Sequence, residues 1–542
     1  MPAWNRGSSE SDGRTDSWPD VTPKVLGADV ELGNYLRGVE ATGGTGPEAA
    51  RRLLSEIRGV PSRGAHGCDE DERPVNPLDR DRRFLPANAG CAYIDSDHLE
   101  IALPETLSAF DHVAYWRAML LVARRAMRRT NRRSPGEPPV EVLVNCSDGL
   151  GHSYGSHVSV LLSRTAWENI FHRRPHYLAY LAAFQVSSIV FTGQGKVGRE
   201  NGRTEAPYQL SQRADFMERL VSDDTMHQRP IVNSRNEPLC GRQRSWDGDR
   251  DLARLHVIFF DSTLCQVATL LRAGTLQLVA AMIEAGHVDA RLTLDDPLDA
   301  LDRWSADPEL AATASLTDGT DVTAVDLQRR FLDCAATFAR SGRCRGTVEK
   351  ADEILSLWAD TLDRLAARDF ATLGRRLDWV LKRQILQRAM AQRSLTWGSP
   401  EIKHLDQLYS SLDEERGLFW ACERAEAVDR VVTDHAIARA GDAPPEDTRA
   451  WMRAQLLRRA GVEGTEEVDW DLVCLRLPSV RDGGGGRRCR VHLPLPYSAT
   501  RSSHGRLFAG NPTLEQIVDR LGRAADHDVA RTRVRIARRS TH

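Results

Sequence analysis

Residues Asn145 to His157 read NCSDGLGHSYGSH, and their types permit three chemistries. Gly151-His152-Ser153-Tyr154-Gly155 fits the G-x-S-x-G pattern of a nucleophilic serine, the glycines can cradle phosphate, and Asp148, His152 and His157 can hold a metal. A nucleophile elbow needs a strand running straight into the Gly-x-Ser turn and a helix after it, because that abrupt transition exposes the hydroxyl. Here the strand pattern VEVLVN stops at Asn145, six residues before Gly151, and HVSVLLSR after Gly155 is β-branched and strand-like. A serine hydrolase is therefore disfavoured. The dinucleotide fingerprint fails too, since Gly149, Gly151 and Gly155 are spaced G-x-G-x-x-x-G with no strand-helix-strand pattern following. Alone, the stretch reads best as a glycine hairpin between two strands.

Carboxylates elsewhere add a further chemistry. Asp29-Val30-Glu31 puts two acids on one face of a strand, where they can jointly hold a hard cation. Tyr93, Asp95 and Asp97 are likewise in phase, with Glu100 just beyond. Carboxylates on neighbouring strands make a Mg²⁺ site for a nucleoside triphosphate, whereas a single acidic face is ordinarily just solvated. His98, beside this cluster, can ligate a metal or simply pack. Arg213 in LSQRADF, Arg229 and Arg235 in RPIVNSR and Arg254 in RLHVIFFD run through a strand-rich region. Singly each suits a surface ion pair; several on one side of a sheet bind phosphate or carboxylate by bidentate forks.

The elements that must position these groups follow an α+β plan. Strand patterns occur at Val25–Leu32, Cys91–Ile101, Val140–Asn145, Ser188–Phe191, Pro230–Asn233 and Leu255–Phe260. Helical spacing marks Pro47–Arg58, Leu107–Arg129, Gln266–Glu284, Asp326–Ser341, Ala351–Ala366 and Asp378–Ala391. Strands early and helices late argue against regular strand-helix alternation. Residues 1–23 read as a flexible leader, 24–440 as the main domain and 441–542 as a small C-terminal unit with a flexible tail. The Pro-rich turn DAPPEDT opens that unit, and Gly483–Gly486 is a hinge or hairpin tip within it. The charged stretch between Gly59 and Arg83 is a long surface loop that can act as a lid. Trp358, Trp379 and Trp420 fall on helices as core residues, and the basic tail RTRVRIARR as a solvated end.

Bulk composition excludes several classes. The chain has 542 residues with 41% hydrophobic content, ample for a sizeable core. Its net charge is −3, so no global field draws it to nucleic acid or to a membrane surface. Ten cysteines lie scattered without a C-x-x-C pair, and nowhere do eighteen apolar residues run consecutively. The expectation is a cytoplasmic protein with no nucleic-acid or membrane partner.

Several stretches carry a resemblance. NCSDGLGHSYGSH, TGQGKVG (192–198), YQLSQRADF (208–216), RPIVNSRNEP (229–238), RLHVIFFD, DWVLKRQILQR (378–388), LDQLYSSLD, APPEDTRA and VDW (468–470) resemble the Pup ligase and depupylase family, in one order from about Val25 to about Ala524. The resemblance implies the glutamine-synthetase-like fold of carboxylate-amine ligases: a curved antiparallel β-sheet cradling ATP and Mg²⁺, helices behind it, and a small C-terminal domain. In that family the ligase phosphorylates the C-terminal glutamate of the ubiquitin-like Pup and joins it to a lysine, while its relative removes Pup or deamidates it.

Carried over residue by residue, the resemblance implies that Asp29, with Glu31, binds Mg²⁺, and that Tyr93, Glu100 and His157 complete the metal surroundings. Asp95 matches the catalytic base and Trp470 an aromatic ATP contact. Arg213, Arg229, Arg235, Arg254 and His256 would meet the phosphates, and Ser153 would be no nucleophile. The chain departs from the family at Cys91, Leu103, Val144-Asn145-Cys146, Val158 and Gln266, each a lost charge or hydroxyl on an expected active-site wall. Five residues from Asp95 to Glu100 is depupylase-like spacing, while Asp378 to Trp470 is closer to the ligase. The implied activity is Mg-ATP-dependent phosphoryl transfer that activates a carboxylate for amide formation, with a Pup-like protein as partner. The alternatives are a kinase acting on a small-molecule acceptor, a depupylase-like or deamidase-like hydrolase, and a nucleotide-binding pseudoenzyme.

Overall fold

A computed structural model describes residues 22–39, 44–62, 81–237, 239, 252–477, 487–524 and 533–537. Most of the expected leader, residues 63–80 of the expected loop and the glycine run 483–486 lie outside the described residues. The α+β plan holds. Strands β1 (Leu26–Leu36), β2 (Val60–Pro61), β3 (Arg83–Phe84), β4 (Cys91–Asp95), β5 (His98–Ala102), β6 (Val140–Leu143) and β7 (Ser156–Ser163) form one sheet with the strand Leu252–Val257. Its order is Leu252–Val257, β7, β1, β5, β4, β3, β2, with β6 also paired to β1, and every pairing is antiparallel.

Alternation along the strands separates two faces. Leu26, Ala28, Val30 and Leu32 of β1 are buried in the core, as are Val158, Val160 and Leu162 of β7 and Leu99 and Ile101 of β5. Behind this face pack the helices Ala109–Arg133, Pro175–Ser187, Gln266–Glu284, Ala324–Arg340 and Ala351–Ala366. Ser108 caps the first by accepting the Phe110 amide, and Thr323 with Asp326 forms a reciprocal capping box on the fourth. Gln266–Glu284 is long and apolar enough to cross a membrane, but it is buried throughout in this core. Trp358, Trp379 and Trp420 are core residues, as expected.

Four expectations change. Cys91–Ile101 is two strands, because the chain turns at Ser96-Asp97, where Ser96 takes a φ of 52°. Ser188–Phe191 is not a strand; Ile189–Thr192 is a helical turn following Pro175–Ser187, and a short apolar run buried on every side has no period to read. Asn145–Gly155 is not a hairpin, since β6 and β7 pair with successive parts of the same strand, β1, and the segment loops out between them. Finally, Arg533–Ala537 of the expected flexible tail pairs with the strand Arg487–His492.

The C-terminal unit carries the sheet Thr465–Asp469, Leu472–Leu477, Arg487–His492 and Arg533–Ala537, with the helices Arg449–Ala460 and Leu514–Ala524. We keep its start at residue 441 as a proposal; the helix Asp434–Asp442 straddles that point. Trp451, Val468, Val473 and Leu475 share one apolar cluster with Phe84, Cys91 and Tyr93 of the main sheet. Ser62 and Val468 exchange two hydrogen bonds of 2.8 Å. The unit is thereby fixed against the β2–β4 end of the sheet, which brings Trp470 to the sheet's open face.

Candidate active site

The face of the sheet opposite the core opens onto a cavity of about 1060 Å³. Its lining includes all twelve of the expected residues: Asp29, Glu31, Tyr93, Asp95, Glu100, His157, Arg213, Arg229, Arg235, Arg254, His256 and Trp470. Register explains the acidic part. Glu31 stands opposite Glu100, Glu100 opposite Tyr93, and Asp29 opposite His157, so side chains from four adjacent strands point the same way.

Carboxylate oxygens of Glu31, Asp95 and Glu100 lie within 4.8 Å of one another. The Tyr93 hydroxyl donates to Glu100 Oε1. Burial, then the charges of Asp29 and Glu31, push the Glu100 carboxyl well above its usual range. Burial and Glu31 likewise raise Asp95, and burial and Glu100 raise the Tyr93 phenol well above its usual range. His157 Nδ1 lies 2.7 Å from Asp29 Oδ1, yet that buried oxygen takes no hydrogen bond. A buried carboxylate oxygen without a donor, beside three crowded carboxylates, is the environment that a hard divalent cation satisfies. The residues fit Mg²⁺. Gly155 is what lets the loop come this close: a Cβ there would lie 2.1 Å from His157 Nε2 and 2.9 Å from Glu31 Oε1.

Relief of this repulsion is measurable. Mg²⁺ is expected to raise the melting temperature of the nucleotide-free protein, by about 1–2 °C if it offsets about one to two kcal/mol in a chain of this length. Glu100→Gln is expected to raise the melting temperature without Mg²⁺ and to lose most of the response to it. Scanning calorimetry with and without a chelator checks both; an unchanged Mg²⁺ response in the variant would contradict the site.

The basic part comes from several elements, not from one side of the sheet. Only Arg254 and His256 stand on the main sheet; Arg213 precedes a short 3-10 turn, Ala214–Phe216, and Arg229 opens the strand Arg229–Asn233, which pairs with Met217–Ser222. Arg254 Nε donates to Glu237 O at 2.9 Å, and Arg235 pairs with the Glu237 carboxylate at 2.9 Å. Burial and Arg254 hold the His256 imidazole well below its ordinary range, so it is neutral at pH 7. Arg213 and Arg229 have no carboxylate within ion-pair distance among the described residues, and burial with Arg213 as neighbour lowers Arg229 to about 10. Trp470 sits in the turn between the first two strands of the C-terminal sheet, its ring 5.3 Å from Phe84.

Other candidates do not join the acidic cluster, although His98, His152 and Ser153 line the same cavity. Asp97 is in the β4–β5 turn, exposed and outside the cavity lining. His98 packs on Tyr154 at 4.3 Å and places Nδ1 3.0 Å from Leu32 O. Asp148 pairs with the exposed His152 at 2.7 Å, apart from His157, so the three do not form one metal site. Ser153 is followed by strand β7, not by a helix. Among the departures only Leu103 lines the cavity. Val158 points into the core because it alternates with His157, Val144 and Cys146 are buried, Cys91 lies under the C-terminal unit, and Gln266 Oε1 accepts the Val431 and Val432 amides. The expected loss of charges and hydroxyls from the cavity wall therefore shrinks to one position, Leu103. Composition gave no hint of Arg82, whose guanidinium lies 4.7 Å over the Tyr93 ring, or of Glu105, Arg449 and Arg453, described below.

Comparison with known proteins gives one answer. A family model described as Pup-ligase protein matches residues 29–474. The chain is 33% identical over 468 residues to the Pup deamidase/depupylase of Mycolicibacterium smegmatis, covering 85% of this chain and 89% of that one. It is 34% identical over 406 residues to the Pup–protein ligase of Kribbella flavida, covering 73% and 85%. The crystal structure of the complex between Pup and its ligase PafA superposes with a TM-score of 0.73 at 23% identity, over 94% of each chain, and shares this fold. With the family match running from the strands that carry the acidic cluster through the first strand of the C-terminal sheet, the chain belongs to the Pup-ligase protein family.

Proposed function

We propose that this protein is an ATP- and Mg²⁺-dependent ligase that activates the terminal carboxylate of a Pup-like protein as an acyl phosphate, for capture by a lysine amine. The observation that carries the reading is the register that sets Asp29, Glu31, Glu100, Tyr93 and Asp95 on one cavity face across adjacent strands, with Arg213 and Arg229, which meet no carboxylate among the described residues, lining the same cavity. Asp29, Glu31 and Glu100, with Tyr93 and His157 beside them, would hold Mg²⁺, which supplies charge neutralisation for a triphosphate. Arg213, Arg229 and Arg254 would neutralise the transferring phosphoryl group, and Trp470 would bound the base. A carboxylate oxygen attacks the γ-phosphorus, the bond to the β-phosphate oxygen breaks, and ADP leaves. The amine nitrogen then attacks the acyl carbon, Asp95 accepts its proton, and phosphate departs. An ATP requirement, with eight free cysteines among the described residues, supports a cytoplasmic setting.

A second reading is a hydrolase that removes or deamidates Pup. What favours it is that relatives with that name cover 85% of this chain, against 73% for the ligase of Kribbella flavida. Incubation with Mg-ATP, a glutamate-ended Pup and a lysine-bearing protein separates the readings. Conjugate, ADP and phosphate formed together support ligation; cleavage of a preformed conjugate supports the hydrolase. A stable phosphoester would point to a kinase, and no turnover of any substrate to a binding protein.

A further inference from the structure

Glu200 lies behind the cavity, its side chain 9% exposed. Its Oε1 accepts the Gly151 amide at 2.8 Å, and its Oε2 accepts Lys196 Nζ at 2.7 Å together with the Ser147 hydroxyl. One carboxylate thus clasps both ends of the turn Ser147–Gly151, whose glycines at 149 and 151 take φ values of +74° and +103°. Lys196 is itself fixed by Asp215 at 2.7 Å, so the clasp is anchored in buried structure. The chain leaving this turn presents two carbonyls to the cavity's arginines. Ser153 O accepts from Arg229 Nη2 at 2.7 Å, and Tyr154 O accepts from Arg213 Nη1 at 2.5 Å.

Two guanidiniums held by neutral carbonyls repel each other unless an anion lies between them; the Tyr154 carbonyl directs Arg213, and the Ser153 carbonyl, together with Thr225 O at 2.9 Å from Nε, directs Arg229. We propose that Glu200 is a positioning residue for anion binding: by fixing the Ser147–Gly151 turn it fixes the Ser153 and Tyr154 carbonyls, and these aim Arg229 and Arg213 at the phosphate groups of the bound nucleotide. The stretch NCSDGLGHSYGSH is then neither nucleophile nor phosphate cradle but a backbone mount for two arginines. This inference rests on the nucleotide reading above.

The test compares wild type, Glu200→Gln and Glu200→Ala in the full chain. Glutamine keeps an acceptor for the Gly151 amide; alanine keeps none. Glu200→Ala is expected to speed amide hydrogen exchange across residues 147–155 and to raise the KM for ATP at least about fivefold, with a smaller change in kcat. Glu200→Gln should restore most of that KM. A lower melting temperature with KM unchanged would mark a merely structural role and overturn the proposal, as would faster loop exchange with unaltered KM. If wild type neither binds nor turns over ATP, the nucleotide reading falls, and inorganic pyrophosphate becomes the probe. Tighter pyrophosphate binding by wild type than by Glu200→Ala would then support the mount, and equal binding would overturn it.

Discussion

Asp95→Asn is expected to leave nucleotide binding nearly intact while lowering kcat about 10²- to 10⁴-fold, the range a positioned proton acceptor supplies. Asp95 ends β4 on the cavity face, half-buried, with a Ser96 hydroxyl 3.3 Å away as its hydrogen-bond partner. Its oxygen lies within 4.8 Å of the Glu31 and Glu100 oxygens, next to where a triphosphate would be bound. Asparagine keeps the shape and the polarity but accepts no proton from an attacking amine. Glu100→Gln differs in kind: it weakens the hold on the cation, so excess Mg²⁺ should recover much of its activity, whereas none should be recovered in Asp95→Asn. Single-turnover measurement of ADP formation and of amide formation checks this. An Asp95→Asn enzyme with unchanged kcat would remove the aspartate from the mechanism.

Glu105→Gln is expected to cost about 3–5 kcal/mol of stability, the usual consequence of removing one partner from a buried ion cluster. Glu105 is buried and accepts Arg449 Nε at 2.6 Å, Arg453 Nη2 at 2.6 Å and Arg453 Nη1 at 3.1 Å. Arg453 also donates to Trp470 O at 2.8 Å and Ala89 O at 3.0 Å, with its guanidinium 4.9 Å over the Trp470 ring. One carboxylate therefore ties the chain just after β5 to the C-terminal unit and to the tryptophan at the cavity. Burial alone would raise Glu105, but Arg453 and Arg449 pull it down to about 2. Because the folded value is depressed, this stabilisation is complete above the unfolded carboxylate value near 4.5 and is lost as pH falls from there toward 2. The gap between wild type and Glu105→Gln in urea denaturation should thus be constant from pH 8 to about 5 and narrow below that. A gap independent of pH down to 3 would contradict the ion cluster as its source.

Much of the acidic site was legible because strand alternation is local. Asp29 and Glu31 share a face by spacing alone, and so do Tyr93 and Asp95. Their convergence was not legible from spacing, since it depends on the turn at Ser96-Asp97 that folds β5 back and sets Glu100 beside Glu31. The same turn removes Asp97 from the set. Direction misled the reading at Val158, which neighbours His157 in sequence and faces the opposite side of the sheet. Ile189–Thr192 shows the limit of periodicity in a fully buried apolar run. Glu105 could not be singled out, because its partners lie 344 and 348 residues away. The arginines were found by type and by resemblance, but only tertiary structure shows that Arg213 and Arg229 reach the cavity from outside the sheet and are held by loop carbonyls.

If the carboxylates on β1, β4 and β5 hold magnesium against a nucleotide, isothermal titration of ATP into the full chain will register it. The expected result is one ATP bound per chain with Mg²⁺ present, binding weakened at least about tenfold by a chelator, and a comparable loss in Glu31→Gln with Mg²⁺. ATP uptake that is indifferent to Mg²⁺ and unchanged in Glu31→Gln, or no uptake at all by the folded protein, would contradict it.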